Sequence, residues 1–438
     1  MASDLAQLDR DRVWHPFTQQ QAWCEEEPLL IERAEGSYLI DADGRRYIDG
    51  VSSLWCNVHG HRHAGIDAAV SEQLGKVAHS TMLGLSHPGA VELASRLVDV
   101  APPGLSRVFY SESGSTAVEI ALKMAFQFQQ QRGGQHTRRT SFVHLRESYH
   151  GDTIGSISVG GIDLFHSTYR PLLFPTHTAE PGNAADLGRV LATHEEEIAA
   201  VIVEPLVQGA AGMLVHPDGY LRAVRELCDE YGVLLICDEV ATGFGRTGTM
   251  FACEREGVAP DLLCLAKGLT GGYLPLAATL ASERIYEGFL GAYEEWRTFF
   301  HGHTYTGNPL ACAAALACLD AFERERTIER LQPKIALLGE LLAEVRAMAE
   351  VAEVRQRGFM VGIDLGEHDP ALRLGHRVTV EARERGAAIR PLGDVVVLMP
   401  PLSISGAELR ELVAATRDSI EAAANGARVP LVRDTLAA

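Results

Sequence analysis

Between about residues 60 and 330, apolar β-rich runs alternate with segments of helical period, which predicts an α/β fold on a doubly wound, mostly parallel sheet. Two further patterns complete the prediction. In the first sixty residues, Ser37-Tyr38-Leu39-Ile40 and Arg46-Tyr47-Ile48-Asp49 flank the turn Asp41-Ala42-Asp43-Gly44, a short hairpin. Toward the end, Gly358–Leu365 and Asp394–Met399 read as strands before a final amphipathic helix. The expected division is an N-terminal segment (1–60), a large α/β domain (61–330) and a C-terminal α+β segment (331–438). The first and last together form a small domain.

In the large domain, the expected strands are Arg107–Tyr110, Ser141–Leu145, Ala200–Glu204, Leu234–Asp238, Leu262–Ala266 and Ala277–Ala281. Between them, Tyr220-Leu221-x-x-Val224-x-x-Leu227 has helical spacing and stops before Gly232, a residue suited to a helix end. Thr116-x-x-Glu119 reads as a capping box opening another helix, and Ser405-x-x-Glu408 as one opening the last.

Composition narrows the function classes. The chain has 438 residues, 46% hydrophobic and 22% charged, enough for two or three packed units. Its 58 Asp and Glu outnumber 39 Lys and Arg, and a net charge of -19 repels phosphate backbones and anionic membranes, so nucleic acid is not an expected partner. Apolar runs such as Val233–Cys237 fall far short of the ~20 residues of a membrane span. The N-terminus has neither the basic start nor the apolar centre of a secretory signal, so a cytoplasmic location is expected. Eight cysteines are scattered without a C-x-x-C pair, as reduced thiols would be.

Chemistry is expected where strands end. Asp238-Glu239 closes one apolar strand, and Lys267 follows another, Leu262–Ala266. Ligands of open α/β sheets bind outside the carboxyl ends of the strands, so an acid and a lysine converge there. Such a pair suits a Schiff base with pyridoxal phosphate, whose pyridine nitrogen needs an anionic partner; taken alone, it suits a buried ion pair equally well. A phosphate site favours the cofactor: the strand ending at Tyr110 runs into Ser111-Glu112-Ser113-Gly114-Ser115, a small polar turn at a helix start. Tyr149, after the strand Ser141–Leu145, places a ring where it could stack on a flat heterocycle. His301 to Pro309 is a polar, glycine-bearing loop, and Arg390 stands among apolar neighbours, suited to a carboxylate if it faces the cleft.

Other motifs carry less. Gly243-Phe244-Gly245-Arg246-Thr247-Gly248 matches a dinucleotide fingerprint but leads only to a short segment ended by Gly257 and Pro260. His59, His61 and His63 alternate, yet no nearby carboxylate or Cys completes a ligand set, so no metal is expected. There is no G-x-S-x-G elbow and no phosphate-binding G-x-x-x-x-G-K-[ST] loop.

Taken together, Ser148-Tyr149-His150-Gly151-Asp152-Thr153, Glu204-Pro205-Leu206-Val207-Gln208-Gly209 and Asp238 through Gly248 resemble the class III, fold-type I aminotransferases, over nearly the whole chain. Trp14-His15-Pro16-Phe17-Thr18 and Gly302 through Asn308 are similar to the branch that aminates 8-amino-7-oxononanoate in biotin biosynthesis. The resemblance implies a mostly parallel seven-stranded sheet, pyridoxal 5'-phosphate as cofactor, and a homodimer with shared active sites. It makes Lys267 the Schiff-base lysine and Asp238 the partner of the pyridine nitrogen. Gly114 and Ser115 fall on the phosphate cradle, Tyr149 on the stacking and substrate-lining tyrosine, and His303 and Thr304 on cofactor ligands, Thr304 reaching in from the other subunit. Phe17, Leu54, Trp55, Gly302 and Arg390 fall on the substrate wall, Arg390 on the carboxylate-binding arginine.

Two positions depart from members that use S-adenosylmethionine as amino donor. Those carry Tyr where this chain has Phe17 and a second Trp where it has Leu54, so a hydroxyl and a flat surface are missing. This is similar to members taking L-lysine, and both donors remain expected. Ornithine or 4-aminobutyrate aminotransferase is the alternative within the class, and a cofactor-binding protein without turnover the alternative outside it.

Overall fold

The structure is a computed structural model and describes residues 2–427. In chain order its strands are β1 (Ile31–Glu35), β2 (Tyr38–Asp41), β3 (Arg46–Asp49), β4 (Leu105–Ser111), β5 (Ser141–Leu145), β6 (His177–Ala179), β7 (Ile198–Val203), β8 (Val207–Gln208), β9 (Leu214–Val215), β10 (Leu234–Asp238), β11 (Leu262–Leu265) and β12 (Ala277–Ser282). The last five are β13 (Glu353–Arg357), β14 (Met360–Asp364), β15 (Ala387–Ala388), β16 (Arg390–Leu392) and β17 (Val395–Leu398).

The central sheet has seven strands in the order β4-β12-β11-β10-β7-β5-β6. Only β12 runs antiparallel to its neighbours. Helices cover both faces, so the middle strands are apolar throughout: every residue of β7 and of β10 is buried. The parallel direction places the ends of β5, β7, β10 and β11 along one edge.

Two smaller sheets hold the ends of the chain. The predicted hairpin is β2 and β3, with β1 added on one side and β15 pairing parallel to β3 on the other. The second sheet, β13-β14-β17-β16, is antiparallel. Gly358, at φ +61°, turns the chain between β13 and β14, so the predicted strand Gly358–Leu365 begins two residues late.

One expected cap lies elsewhere. The helix Gly114–Arg132 is capped by Ser113, whose hydroxyl accepts from the Thr116 amide while Thr116 Oγ1 accepts from the Ser113 amide. Ser113 is extended at φ -140°, which makes Thr116 the third helical residue rather than the cap. Glu119, freed of capping, accepts from the Gly155 amide at 2.6 Å. The box at Ser405 and Glu408 forms as expected. Among the described residues, no helix is long and apolar enough to cross a membrane.

Candidate active site

A cavity of about 430 Å³ opens at the carboxyl edge of the central sheet. Trp55, Gly114, Ser115, Tyr149, Asp238 and Lys267, all singled out from sequence, line it together. Each comes from a chain segment that leaves a strand or enters a helix, which is why residues up to about two hundred positions apart meet.

Asp238 ends β10 and is 5% exposed. Its Oδ2 lies 2.7 Å from His150 Nδ1, and its Oδ1 accepts from the Val240 amide at 3.0 Å. Lys267 stands two residues after β11 in a left-handed conformation, φ +46°, which turns its stem off the strand into the cavity. Burial lowers its pKa, opposed by the negative charges of Asp238 and Glu204. Its Nζ lies 5.3 Å from the Trp55 ring centroid.

Glu204 follows β7 and is fully enclosed. Its Oε1 accepts from the Tyr149 amide at 3.0 Å and its Oε2 from the Gly209 amide at 2.9 Å. Burial pushes its pKa up to about 7, with the Asp238 charge acting in the same direction. The Tyr149 hydroxyl donates to Asp152 at 2.7 Å. Burial and that carboxylate hold its pKa above the usual tyrosine range.

The turn at Gly114 is tight. A Cβ on Gly114 would sit 2.6 Å from Val240 Cγ1, and one on Gly151, at φ +118°, would sit 1.9 Å from Ser115 Oγ. Backbone therefore approaches the cavity closely where the first amides of the helix have no intrahelical acceptor, a receptor for an anion. His150 Nε2 and Trp55 Nε1 are buried without a partner. An anion receptor, a buried acid held in one orientation and a buried amine together fit pyridoxal phosphate, whose phosphate could be held at Gly114 and Ser115, its pyridine nitrogen by Asp238 and its aldehyde by Lys267.

Other expected residues lie outside this cavity within the single chain. Thr304 is exposed, and His303 sits nearby with Nδ1 bonded to Glu112, a cavity-lining acid. Gly302 is exposed on the same loop. Phe17 packs edge-on to Phe165 and Tyr149 at 5.4 and 6.4 Å between centroids, while Leu54 is 47% exposed beside Trp55. Arg390 is half-buried on β16 and does not line the cavity.

Sequence reasoning missed His150, Glu204 and Phe165. Glu204 carried the same signal as Asp238, an acid ending an apolar strand, and was read as part of the strand. His150 and Phe165 had no comparable signal. Two of the three alternating histidines acquire a carboxylate partner and the third a backbone carbonyl, and each pairs separately. His61 meets Asp49 at 2.8 Å, His63 meets Glu325 at 2.7 Å, and His59 meets the Cys318 carbonyl at 3.1 Å.

Comparison with known proteins points to one family. The family model for aminotransferase class III matches residues 20–420. An adenosylmethionine-8-amino-7-oxononanoate aminotransferase from Nitratidesulfovibrio vulgaris is 57% identical over 95% of this chain and 81% of that protein. The protein of the same name from Geobacter sulfurreducens is 48% identical, over 96% of this chain and 98% of that one. Among solved structures, the enzyme of that name from Methanocaldococcus jannaschii superposes with a TM-score of 0.95 at 46% identity, covering 96% of this chain and 99% of that one. A thermostable (S)-enantioselective omega-transaminase from Thermomicrobium roseum superposes with a TM-score of 0.91 at 34% identity, covering 96% and 99%.

Proposed function

This chain belongs to the class III aminotransferases and is a pyridoxal-phosphate enzyme, and on that premise we propose that it aminates the ketone of 8-amino-7-oxononanoate to 7,8-diaminononanoate in biotin synthesis. The amino donor is S-adenosylmethionine or L-lysine. The observation that carries the reading is the meeting of Lys267, Asp238 and the Gly114–Ser115 turn in one cavity. The substrate is supported by the names of the full-length relatives.

When bound, pyridoxal phosphate supplies a carbonyl carbon that joins to amines and a ring that takes up electrons from the bond being broken. The amides of Gly114 and Ser115, with the helix dipole, hold the phosphate. Asp238, fixed by His150 and the Val240 amide, holds the proton on the pyridine nitrogen. Lys267 Nζ takes the proton from the donor's amine-bearing carbon and delivers one in the reverse sense during the second half-reaction. Its lowered pKa gives it a basic form at neutral pH more often than an exposed lysine has. Trp55 forms the wall beside Nζ. Arg390 holds the carboxylate of the keto substrate, and Phe17, Leu54 and Gly302 shape its binding surface.

The reading includes a homodimer. Thr304 serves a neighbouring copy's cofactor, with His303 on the same loop, which accounts for an exposed segment bearing Phe300 at 69% and Tyr305 at 59% exposure. It also includes the division into a large domain (61–330) and a small one built from 1–60 and 331–438, supported by the pairing of β15 with β3.

The test offers purified holoenzyme 8-amino-7-oxononanoate with each donor separately and measures the diamine by mass spectrometry. Diamine from one donor identifies it. Diamine from neither, with ornithine or 4-aminobutyrate consumed instead, overturns the substrate.

A further inference from the structure

At the edge of the central sheet remote from the cavity, three side chains that play no part in the chemistry above face one another. His177 opens β6, His194 caps the end of the helix Ala184–Thr193, and Glu197 directly precedes β7. One ligand-type atom of each lies within 4.8 Å of the others. We propose that His177, His194 and Glu197 form a binding site for a single divalent transition-metal ion of the zinc type.

The distances from Glu197 to the two rings are compatible with an ion held among the three groups. Glu197 Oε2 lies 3.6 Å from His177 Nε2 and 3.5 Å from His194 Nδ1. Both are long for a hydrogen bond between a ring nitrogen and a carboxylate. They match the edge of a tetrahedron with bonds of about 2.1 Å, which is about 3.4 Å, the geometry zinc takes with His and Glu. The ring centroids of His177 and His194 are 3.8 Å apart. Burial, with His194 beside it and against the opposing charge of Glu197, lowers the pKa of His177, which favours the neutral ring that ligates.

The backbones carrying these groups are fixed before any ion arrives. His177 pairs with Val143 of β5. The Glu197 amide donates to the His194 carbonyl, and the Glu197 carbonyl accepts from the amides of Thr140 and Ser141. Side-chain exposures of 22% for His177 and 33% for His194 leave room for water to complete the coordination. Because β5, β6 and β7 all begin here and end at the cavity edge, an ion would tie the start of the sheet without touching the reaction.

The test uses chelator-treated holoenzyme, equilibrium dialysis against Zn(II), and metal analysis of wild type beside His177→Ala, His194→Ala and Cys24→Ser. Expected is one more Zn(II) per chain in wild type and Cys24→Ser than in either histidine variant. The affinity loss in those variants should exceed the roughly 10–100-fold that outer-shell changes cause. Wild-type melting temperature should rise with Zn(II) while aminotransferase rate, assayed after the excess ion is removed, stays level. Equal Zn(II) content in wild type and both histidine variants overturns the site, as does no uptake by wild type. Should an alanine variant unfold, His177→Gln and Glu197→Gln take its place, with the same two outcomes.

Discussion

His150 Nδ1 sits 2.7 Å from Asp238 Oδ2, with the histidine side chain wholly buried. The acid at the end of β10 is thus oriented by a group delivered from the loop after β5, two strands away in the sheet. Replacing His150 by Ala should lower kcat by roughly 10–100-fold, as loss of a hydrogen bond to a charged group, about 1.5–3 kcal/mol, predicts. Steady-state rates beside melting temperature check this. A rate unchanged in a folded variant would mean Asp238 needs no such support.

Asp238→Asn should be the more severe change, lowering the rate by orders of magnitude while the melting temperature stays near wild type. The amide keeps the shape but not the charge that holds a proton on the pyridine nitrogen. Full activity in that variant would make the acid a structural residue.

Lys267→Arg separates charge from proton transfer. Guanidinium remains protonated and cannot act as a base, so turnover should vanish although a cation is retained. Product assays on a variant shown to be folded by circular dichroism decide the point, and measurable turnover would remove Lys267 from its role.

Gly114→Ala should cost cofactor retention, since its new methyl would stand 2.6 Å from Val240 Cγ1. Adding Val240→Ala removes the obstructing atom and should restore part of the loss. Cofactor retained on gel filtration gives the comparison for the single and double variants. Absence of rescue would place the defect elsewhere in the turn.

Glu204 should make stability fall as pH rises. Its folded pKa of about 7 exceeds the ordinary 4.5, so the folded state holds a proton that the unfolded state has lost between those values. Stability is therefore fully present below about 4.5 and declines through about 7. Glu204→Gln removes one acceptor and should be less stable near pH 5, yet lose less on going to about pH 8. Chemical denaturation at both pH values reads the difference, and equal slopes would mean that Glu204 ionises in the fold as easily as outside it.

Sequence carried the sheet because β7, β10 and β11 are continuous apolar runs, and it carried Asp238 and Lys267 because both stand at the ends of such runs. β6 was missed: three residues, His177–Ala179, are too short for a periodic pattern. The cap at Ser113 was displaced because Thr116 and Glu119 also fit the capping spacing, and only the extended backbone of Ser113 distinguishes the two. His150, like the grouping of His177, His194 and Glu197, depends on tertiary placement that no local spacing encodes. Arg390, legible only as a charge among apolar neighbours, has no side-chain hydrogen bond or ion pair among the described residues.

The parallel pairing of Ile48 with Ala387 has a consequence for synthesis of the chain. Counting from 48 to 387, the ribosome must add 339 residues before β3 can meet its last neighbour. At roughly 5–20 residues per second, that interval is roughly 20 to 70 s. Throughout it the nascent hairpin carries an open, hydrogen-bonding edge whose inner residues Tyr47 and Ile48 are apolar, the kind of edge that invites pairing with another chain. A newborn molecule therefore carries an aggregation-prone edge at its oldest end, and faster elongation or an early-binding chaperone should raise the yield of folded enzyme.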